Sequence, residues 1–222
     1  MSPRPPAASI GFSMFPLTRR LSRALASLLT PIGLTPGVSG TLATLLALEA
    51  AWSFSHGSAR GDFVGAITWL LATVLFDNVR CQLALKVPHA RATPAAVSAS
   101  AGLMHVLVFL GLGIGAVTAG AGLIPWYAAL LAGFGCAVVT VLELNLNLTR
   151  LLMVPAAAPP ASAPGKTTVW EKWLDAARDD FGFLVLLGAG LNLLWLLLPF
   201  AALALQVYWI REALRFYQSR QR

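Results

Sequence analysis

Long apolar segments separated by short polar ones dominate the sequence and set the expected architecture. A helix needs roughly 20 apolar residues to cross a bilayer core of about 30 Å. Alternation of apolar and polar residues, which would favour strands, is not seen. The pattern predicts an all-α integral membrane protein with six transmembrane helices, over residues 38–54, 63–85, 95–119, 123–145, 181–198 and 199–216.

The last two predicted spans are contiguous, and we separate them at Pro199. A single helix over residues 181–216 would be about 54 Å long at about 1.5 Å per residue, which is too long for one crossing. Proline has no N–H group and is unfavourable inside a helix. We therefore expect a tight turn over residues 195–199, near one surface of the membrane.

Lysine and arginine are distributed unevenly between the two predicted sides of the membrane. Of the 16 basic residues, Arg60 alone lies on one side, and all the others lie on the side of the two termini and the longest connection. Basic residues mark the cytoplasmic side of a membrane protein. The pattern places both termini in the cytoplasm or in an equivalent matrix, so we expect a bacterial inner membrane or the mitochondrial inner membrane.

Composition agrees with a membrane protein. Hydrophobic residues make up 57% of the chain and charged residues 11%, which is too few to cover a water-soluble surface. The net charge of +7 follows from the basic connections, which favour contact with anionic lipid headgroups. Nucleic acid is not an expected partner.

Residues 1–35 form a basic N-terminal segment before the six-helix domain of residues 36–222, in which residues 155–180 are a cytoplasmic or matrix loop. No acid occurs before Glu49, and residues 17–29 can form a basic amphipathic helix. Two interpretations stay open. The helix lies in the membrane interface, or the segment is a mitochondrial import signal.

Ionisable residues inside a membrane are costly and are the first candidates for function. Asp77 and Arg80 are three residues apart near the end of the second predicted span, so they can form an ion pair. His105, in the third span, is either a hydrogen-bonding residue between helices or a base, and Glu143 lies near the basic end of the fourth. The glycines of residues 111–115 predict close helix packing.

Two motifs resemble the CDP-alcohol phosphatidyltransferases. Residues 34–41, Leu-Thr-Pro-Gly-Val-Ser-Gly-Thr, are similar to the Thr-Pro-Asn-x-x-Thr start of that family's first span. Asp77 follows about forty residues later, where the family begins its signature D-x-x-D-G-x-x-A-R-x8-G-x-x-x-D-x-x-x-D. The stretch from Arg178 through Arg215 also resembles the family's last helix pair. The resemblance implies six transmembrane helices and an interfacial N-terminal helix.

The signature is only partly present. Asp77 matches its first Asp, but Arg80, Ser98 and Gly102 stand at the other three Asp positions. In the family these carboxylates hold divalent metal against a CDP-linked pyrophosphate. A chain with one of the four is expected to lack the metal site and to need no cofactor. If the chain were active, Asp77 and His105 would be the catalytic candidates.

We therefore expect a non-catalytic member of this fold, a pseudoenzyme that serves as a structural or phospholipid-binding subunit of a larger membrane complex. Two alternatives stay open: an active, phospholipid-synthesising CDP-alcohol phosphatidyltransferase with an atypical site, and a small-molecule transporter. The expected partners are other membrane protein subunits and an anionic phospholipid such as cardiolipin. Basic side chains between helices bind lipid phosphates, and the predicted phosphate ligands are Arg80, Lys86, Arg150 and Arg178.

Overall fold

A computed structural model of the chain describes residues 24–25, 27–29, 31–79, 83, 94–152 and 181–220. In this part of the chain the regular structure is entirely helical, as the apolar pattern predicts, and no strand occurs. The helices are α1 (Pro36–Ser55), α2 (Ala59–Thr73) with a π-helical continuation (Val74–Val79), α3 (Pro94–Thr118), α4 (Leu123–Leu152), α5 (Phe181–Gly190) and α6 (Leu194–Arg220).

Three of these helices are long and apolar enough to cross a membrane: the stretches Ala96–Thr118 of α3, Leu123–Asn145 of α4 and Leu194–Arg211 of α6. The helices α3 and α4 begin within one residue of the predicted starts. The chain is therefore compatible with a membrane protein by length and composition. The remaining predicted crossings and the sides on which the termini lie stay predictions.

The helices pack together as a bundle. The helix α1 packs against α2 and α3, α3 packs against α4, α4 packs against α6, and α5 packs against α2. Apolar side chains from α1, α2 and α3 fill the centre, among them the fully buried Phe54, Trp69 and Val108. Exposed Trp52, Tyr127 and Trp195 lie at the end of the bundle that carries Arg60, an arrangement typical of a membrane interface.

The predicted close packing of the glycine helix is confirmed at the contact between α3 and α1. A Cβ atom on Gly111 would overlap the carbonyl oxygen of Ala51, and one on Gly115 would overlap the carbonyl oxygen of Phe54. Residues four apart lie on the same helix face, so both glycines let the backbones of α3 and α1 approach each other closely.

Hydrogen bonds join two other pairs of helices, α1 with α2 and α4 with α6. The Ser39 hydroxyl is fully buried and donates to the carbonyl oxygen of Leu75, at 2.9 Å, in the π-helical continuation of α2. The Gln206 amide donates to the Leu131 carbonyl oxygen at 2.9 Å, which joins α6 to α4, and the Trp209 indole donates to the Gln206 side-chain oxygen. Hydrogen bonds between helices of this kind stabilise a bundle in a membrane.

The Thr-Pro pair that predicts the start of the first span does begin α1. Pro36 is the first helical residue, where its missing N–H group is not needed. The Thr35 side chain accepts a hydrogen bond from the Val38 backbone N–H at 3.3 Å and so caps the helix.

The predicted turn over residues 195–199 is wrong, because Pro199 lies inside α6 and the turn is at Leu191, Asn192 and Leu193. Asn192 has a φ angle of 55°, in the left-handed region. The Leu193 N–H bonds to the Gly188 carbonyl oxygen at 2.7 Å, and the Asn192 N–H bonds to that of Ala189 at 3.1 Å. These two bonds are a Schellman motif, so the helix ends because its last carbonyls are already satisfied.

A substitution at Asn192 tests this turn. Asn192→Gly should leave the thermal unfolding temperature of the detergent-solubilised protein unchanged or raise it, because glycine adopts positive φ freely. Asn192→Val should lower the unfolding temperature, because a β-branched residue is strained in the left-handed region. The expected loss of unfolding free energy is about 1–2 kcal/mol. Equal unfolding temperatures for the two variants would contradict the left-handed turn.

The predicted N-terminal helix lies mostly outside the described residues. Residues 24–25 and 27–29 are helical, and Leu25 and Leu29 pack against a small cluster formed by Val74, Val79 and Leu83. Neither the interfacial position nor the import signal is tested by this contact. The predicted loop of residues 155–180 lies outside the described residues as well.

Candidate functional site

A cavity of about 300 Å³ lies between α3, α4, α5 and α6. Ligand sites in proteins are typically concave, mostly apolar and equipped with a few polar groups that fix orientation. This cavity has that character, because hydrocarbon and aromatic side chains make up most of its wall. Its polar side chains are those of Ser98, His105, Thr140, Glu143 and Tyr208.

The polar and apolar parts of the wall lie at different depths. On α3 the wall extends from Ser98 to Phe109, which is about 16 Å along a helix axis. Ser98 and Glu143 lie towards the end of the bundle at which the sequence places most basic residues. Phe109 and Leu197 lie towards the opposite end. The cavity is therefore amphipathic along the direction in which α3 and α4 would cross a membrane.

Arg211 places a positive charge next to the polar end of the cavity. Its guanidinium carbon lies 5.0 Å from the centre of the Tyr208 ring, in a cation–π contact, and Tyr208 lines the cavity. Arg211 itself is half-buried. In the sequence, Arg211 is one of the basic residues that predict the orientation of the chain. The three-residue spacing from Tyr208 is the signal that could have pointed to it, because residues three apart meet on a helix surface.

His105 is part of an aromatic cluster beside the cavity. Its Nδ1 lies 2.8 Å from the Ala101 carbonyl oxygen, and since a carbonyl only accepts, Nδ1 carries the proton. The ring packs edge-on against Trp69 with 5.0 Å between ring centres, and Phe181 contacts both rings. The bond to Ala101 lies within α3 and does not join two helices. His105 lines the cavity, and its role as a base stays a prediction.

Two positions of the family signature lie on α3 and line this cavity. Ser98 and Gly102, which stand where the resemblance would place the last two Asp, both line its wall. A Cβ atom on Gly102 would overlap the Thr140 hydroxyl, and that hydroxyl donates to the Cys136 carbonyl oxygen at 2.8 Å. With α3 and α4 this close, position 102 has no room for a carboxylate side chain.

Several predicted site residues cannot be placed from the side chains described. Asp77 belongs to the π-helical stretch Val74–Val79, a type of helix that is frequent at functional sites, but its side chain is outside the described set. The same holds for the side chain of Arg150, and the predicted ligands Arg80, Lys86 and Arg178 lie outside the described residues altogether. The ion pair of Asp77 with Arg80 and the four-residue phosphate site stay predictions.

Metal-ligating side chains do not cluster in the part of the chain that the structure describes. No three His, Cys, Asp or Glu residues there are close enough together to hold a metal ion. His105 and Glu143 both line the cavity, but neither belongs to such a group. The described side chains of the wall offer hydrogen bonds, charge and apolar contact.

Comparison with known proteins adds no relative from which a function could be taken. No family model matches the chain, no curated protein matches it, and no solved structure matches it. The resemblance to the CDP-alcohol phosphatidyltransferases rests on the residues quoted above and stays a prediction. The function is argued below from the cavity between α3, α4, α5 and α6.

Proposed function

We propose that this chain is a non-catalytic membrane protein that binds a phospholipid in the cavity between α3, α4, α5 and α6. One observation carries the proposal: the cavity is apolar at one end and polar at the other, with Arg211 beside the polar end. A phospholipid has the same division into hydrocarbon and charged headgroup. An ordinary water-soluble substrate would leave most of the apolar wall without a partner.

The polar end has the Glu143 side chain in its wall and the Arg211 guanidinium beside it, and of these two groups Arg211 is the one that can hold a headgroup phosphate. An arginine guanidinium binds a phosphate through two parallel, charge-assisted hydrogen bonds. Arg211 lies over the Tyr208 ring, so its guanidinium is held beside the cavity wall. The basic connections predicted at this end would add to the attraction, since basic pockets between helices at headgroup depth are the usual setting for anionic lipids.

The absence of catalysis is part of the proposal. Metal-dependent transfer from a CDP-linked donor needs several carboxylates around divalent metal. Gly102, held against Thr140, leaves no space for one of them, and Ser98 replaces another. We also propose, from the sequence, that the protein acts together with other membrane protein subunits. Co-purification from the native membrane would test this.

Native mass spectrometry of the purified chain tests the lipid-binding function. We expect one phospholipid per chain to survive a detergent wash that removes the loosely bound lipid, with anionic species enriched over their share of the membrane. Complete exchange of all lipid for detergent, or a retained population that merely mirrors the bulk membrane, would contradict a specific site.

A transferase assay tests the non-catalytic part. Purified protein supplied with Mg²⁺ or Mn²⁺, a CDP-linked lipid donor and alcohol acceptors should release no CMP above the rate of an Asp77→Asn variant. The physical reason is the incomplete set of metal-binding carboxylates. Metal-dependent CMP release that Asp77→Asn abolishes would overturn the proposal and would make Asp77 and His105 catalytic candidates.

A further inference from the structure

The cavity is tightly walled on two sides and open on a third. The helix α3 packs along α4, and α4 packs along α6. The helices α5 and α6 contact each other near their connecting turn, where Gly188 lies against Leu194 and Leu197. Further from that turn, cavity-lining residues of both helices reach the outer surface of the bundle.

Two of these side chains define an opening, which we call the portal. Leu184 of α5 is 38% exposed and Phe200 of α6 is 70% exposed, although both line the cavity. Phe200 belongs to the stretch Leu194–Arg211, which is long and apolar enough to cross a membrane. With that stretch in a bilayer the portal faces hydrocarbon, so a ligand that passes through it comes from the lipid phase and not from water.

The size and chemistry of the cavity limit what passes through the portal. Ligand pockets measure roughly 300–1,000 Å³, and this one, at about 300 Å³, is at the lower end. A phospholipid has two long chains, and this volume holds one of them at most. Among the described residues, the deep wall near Phe109 and Leu197 is apolar, which fits a hydrocarbon chain better than a headgroup.

We propose that a single hydrocarbon chain of a membrane lipid enters the cavity sideways through the portal formed by Leu184 and Phe200, while any second chain stays in the bilayer. This inference rests on the proposed lipid-binding function and specifies the ligand class: amphiphiles with one insertable chain, including single-chain lysophospholipids. A hydrocarbon chain that moves from the bilayer into the cavity gains little hydrophobic free energy, because lipid tails are as apolar as the cavity wall. Selectivity therefore comes from the headgroup near Arg211 and Glu143.

Photo-crosslinking of the full chain in lipid vesicles tests chain entry. The probe is phosphatidylglycerol with a diazirine near the end of one acyl chain. We expect crosslinks to peptides that contain Phe109 or Leu197, at the deep end of the cavity. Lysophosphatidylglycerol should compete with these crosslinks, and glycerophosphoglycerol, which has the same headgroup but no chain, should not.

A pair of adjacent substitutions tests the route. Ala204 lines the cavity and is exposed, whereas its neighbour Leu203 is 64% exposed and does not line it. Ala204→Trp should obstruct the opening and lower deep crosslinking by about tenfold or more. Leu203→Trp, with the same new side chain on the lipid-facing surface, should leave the crosslinking unchanged. If Ala204→Trp does not fold, crosslinking of the unmodified protein still decides whether a hydrocarbon chain enters, and the smaller Ala204→Leu, which should also lower deep crosslinking, tests the route.

The outcomes separate this inference from the function on which it rests. Phospholipid that is retained but crosslinks only to outward-facing residues would overturn chain entry and leave lipid binding intact. Equal deep crosslinking in the two tryptophan variants would overturn the portal. If the protein retains no phospholipid and gives no crosslinks at all, both proposals are overturned.

Discussion

Replacing Arg211 with alanine is expected to lower the amount of anionic phospholipid retained by the purified protein by about ten- to a hundredfold. Hydrogen bonds to a charged group contribute about 1.5–3 kcal/mol each, and the alanine removes both the charge and the donors. Arg211 is half-buried beside Tyr208, so solvent screens it less than a fully exposed arginine. Native mass spectrometry with lipid analysis of the retained fraction measures the effect.

Arg60→Ala is the matched control. Arg60 is exposed in the first turns of α2, at the opposite end of the bundle, and the same charge is removed from the chain. It should leave the retained lipid unchanged. An equal loss in the two variants would mean that net charge, and not a site at Arg211, determines which lipids stay bound.

Gly115→Ala is expected to cost about 3 kcal/mol or more of unfolding free energy, as a severe case of overpacking. The added Cβ atom would overlap the carbonyl oxygen of Phe54, and a backbone atom cannot move aside by changing rotamer. The helices α1 and α3 would have to separate, which opens the packing around Phe54 itself. Thermal or denaturant unfolding of the protein in detergent measures the loss.

Gly133→Ala provides the comparison within the same bundle. The Cβ atom at Gly133 would have Val106 as its nearest neighbour, at 4.0 Å, an ordinary van der Waals distance. Since alanine also favours the helix over glycine, Gly133→Ala should be neutral or stabilising by up to about 1 kcal/mol. Similar unfolding midpoints for the two variants would refute the close contact of α3 with α1.

The hydrophobic pattern was sufficient to predict α3 and α4 but not the boundary between α5 and α6. The stretch around Ala96–Thr118 is mostly apolar and long enough to cross a bilayer, and Gly120 and Gly122 separate it from α4, so its length and the two glycines identify it. For the last two helices the pattern is continuous, and we placed the break at Pro199. Proline is tolerated near the start of a helix, and Pro199 lies only one turn and a half into α6. The left-handed conformation that the turn requires is supplied by Asn192.

The site was harder to predict because it depends on which helices meet. His105 and Glu143 were recognised as ionisable residues inside predicted spans, and both line the cavity. Arg211 and Tyr208 were not, because a basic residue near the end of a last helix is also explained by membrane orientation alone. The packing of α6 against α4 brings Tyr208 to the same cavity as Glu143, and Arg211 lies against Tyr208.

A density map of the full chain in a lipid bilayer tests the central proposal most directly. We predict a phospholipid with one chain in the cavity between α3, α4, α5 and α6, and with phosphate oxygens about 2.7–3.2 Å from the Arg211 guanidinium nitrogens. A cavity that is closed by the surrounding side chains, or one that is open while lipid is ordered only on the outer surface of the bundle, would contradict the proposed function.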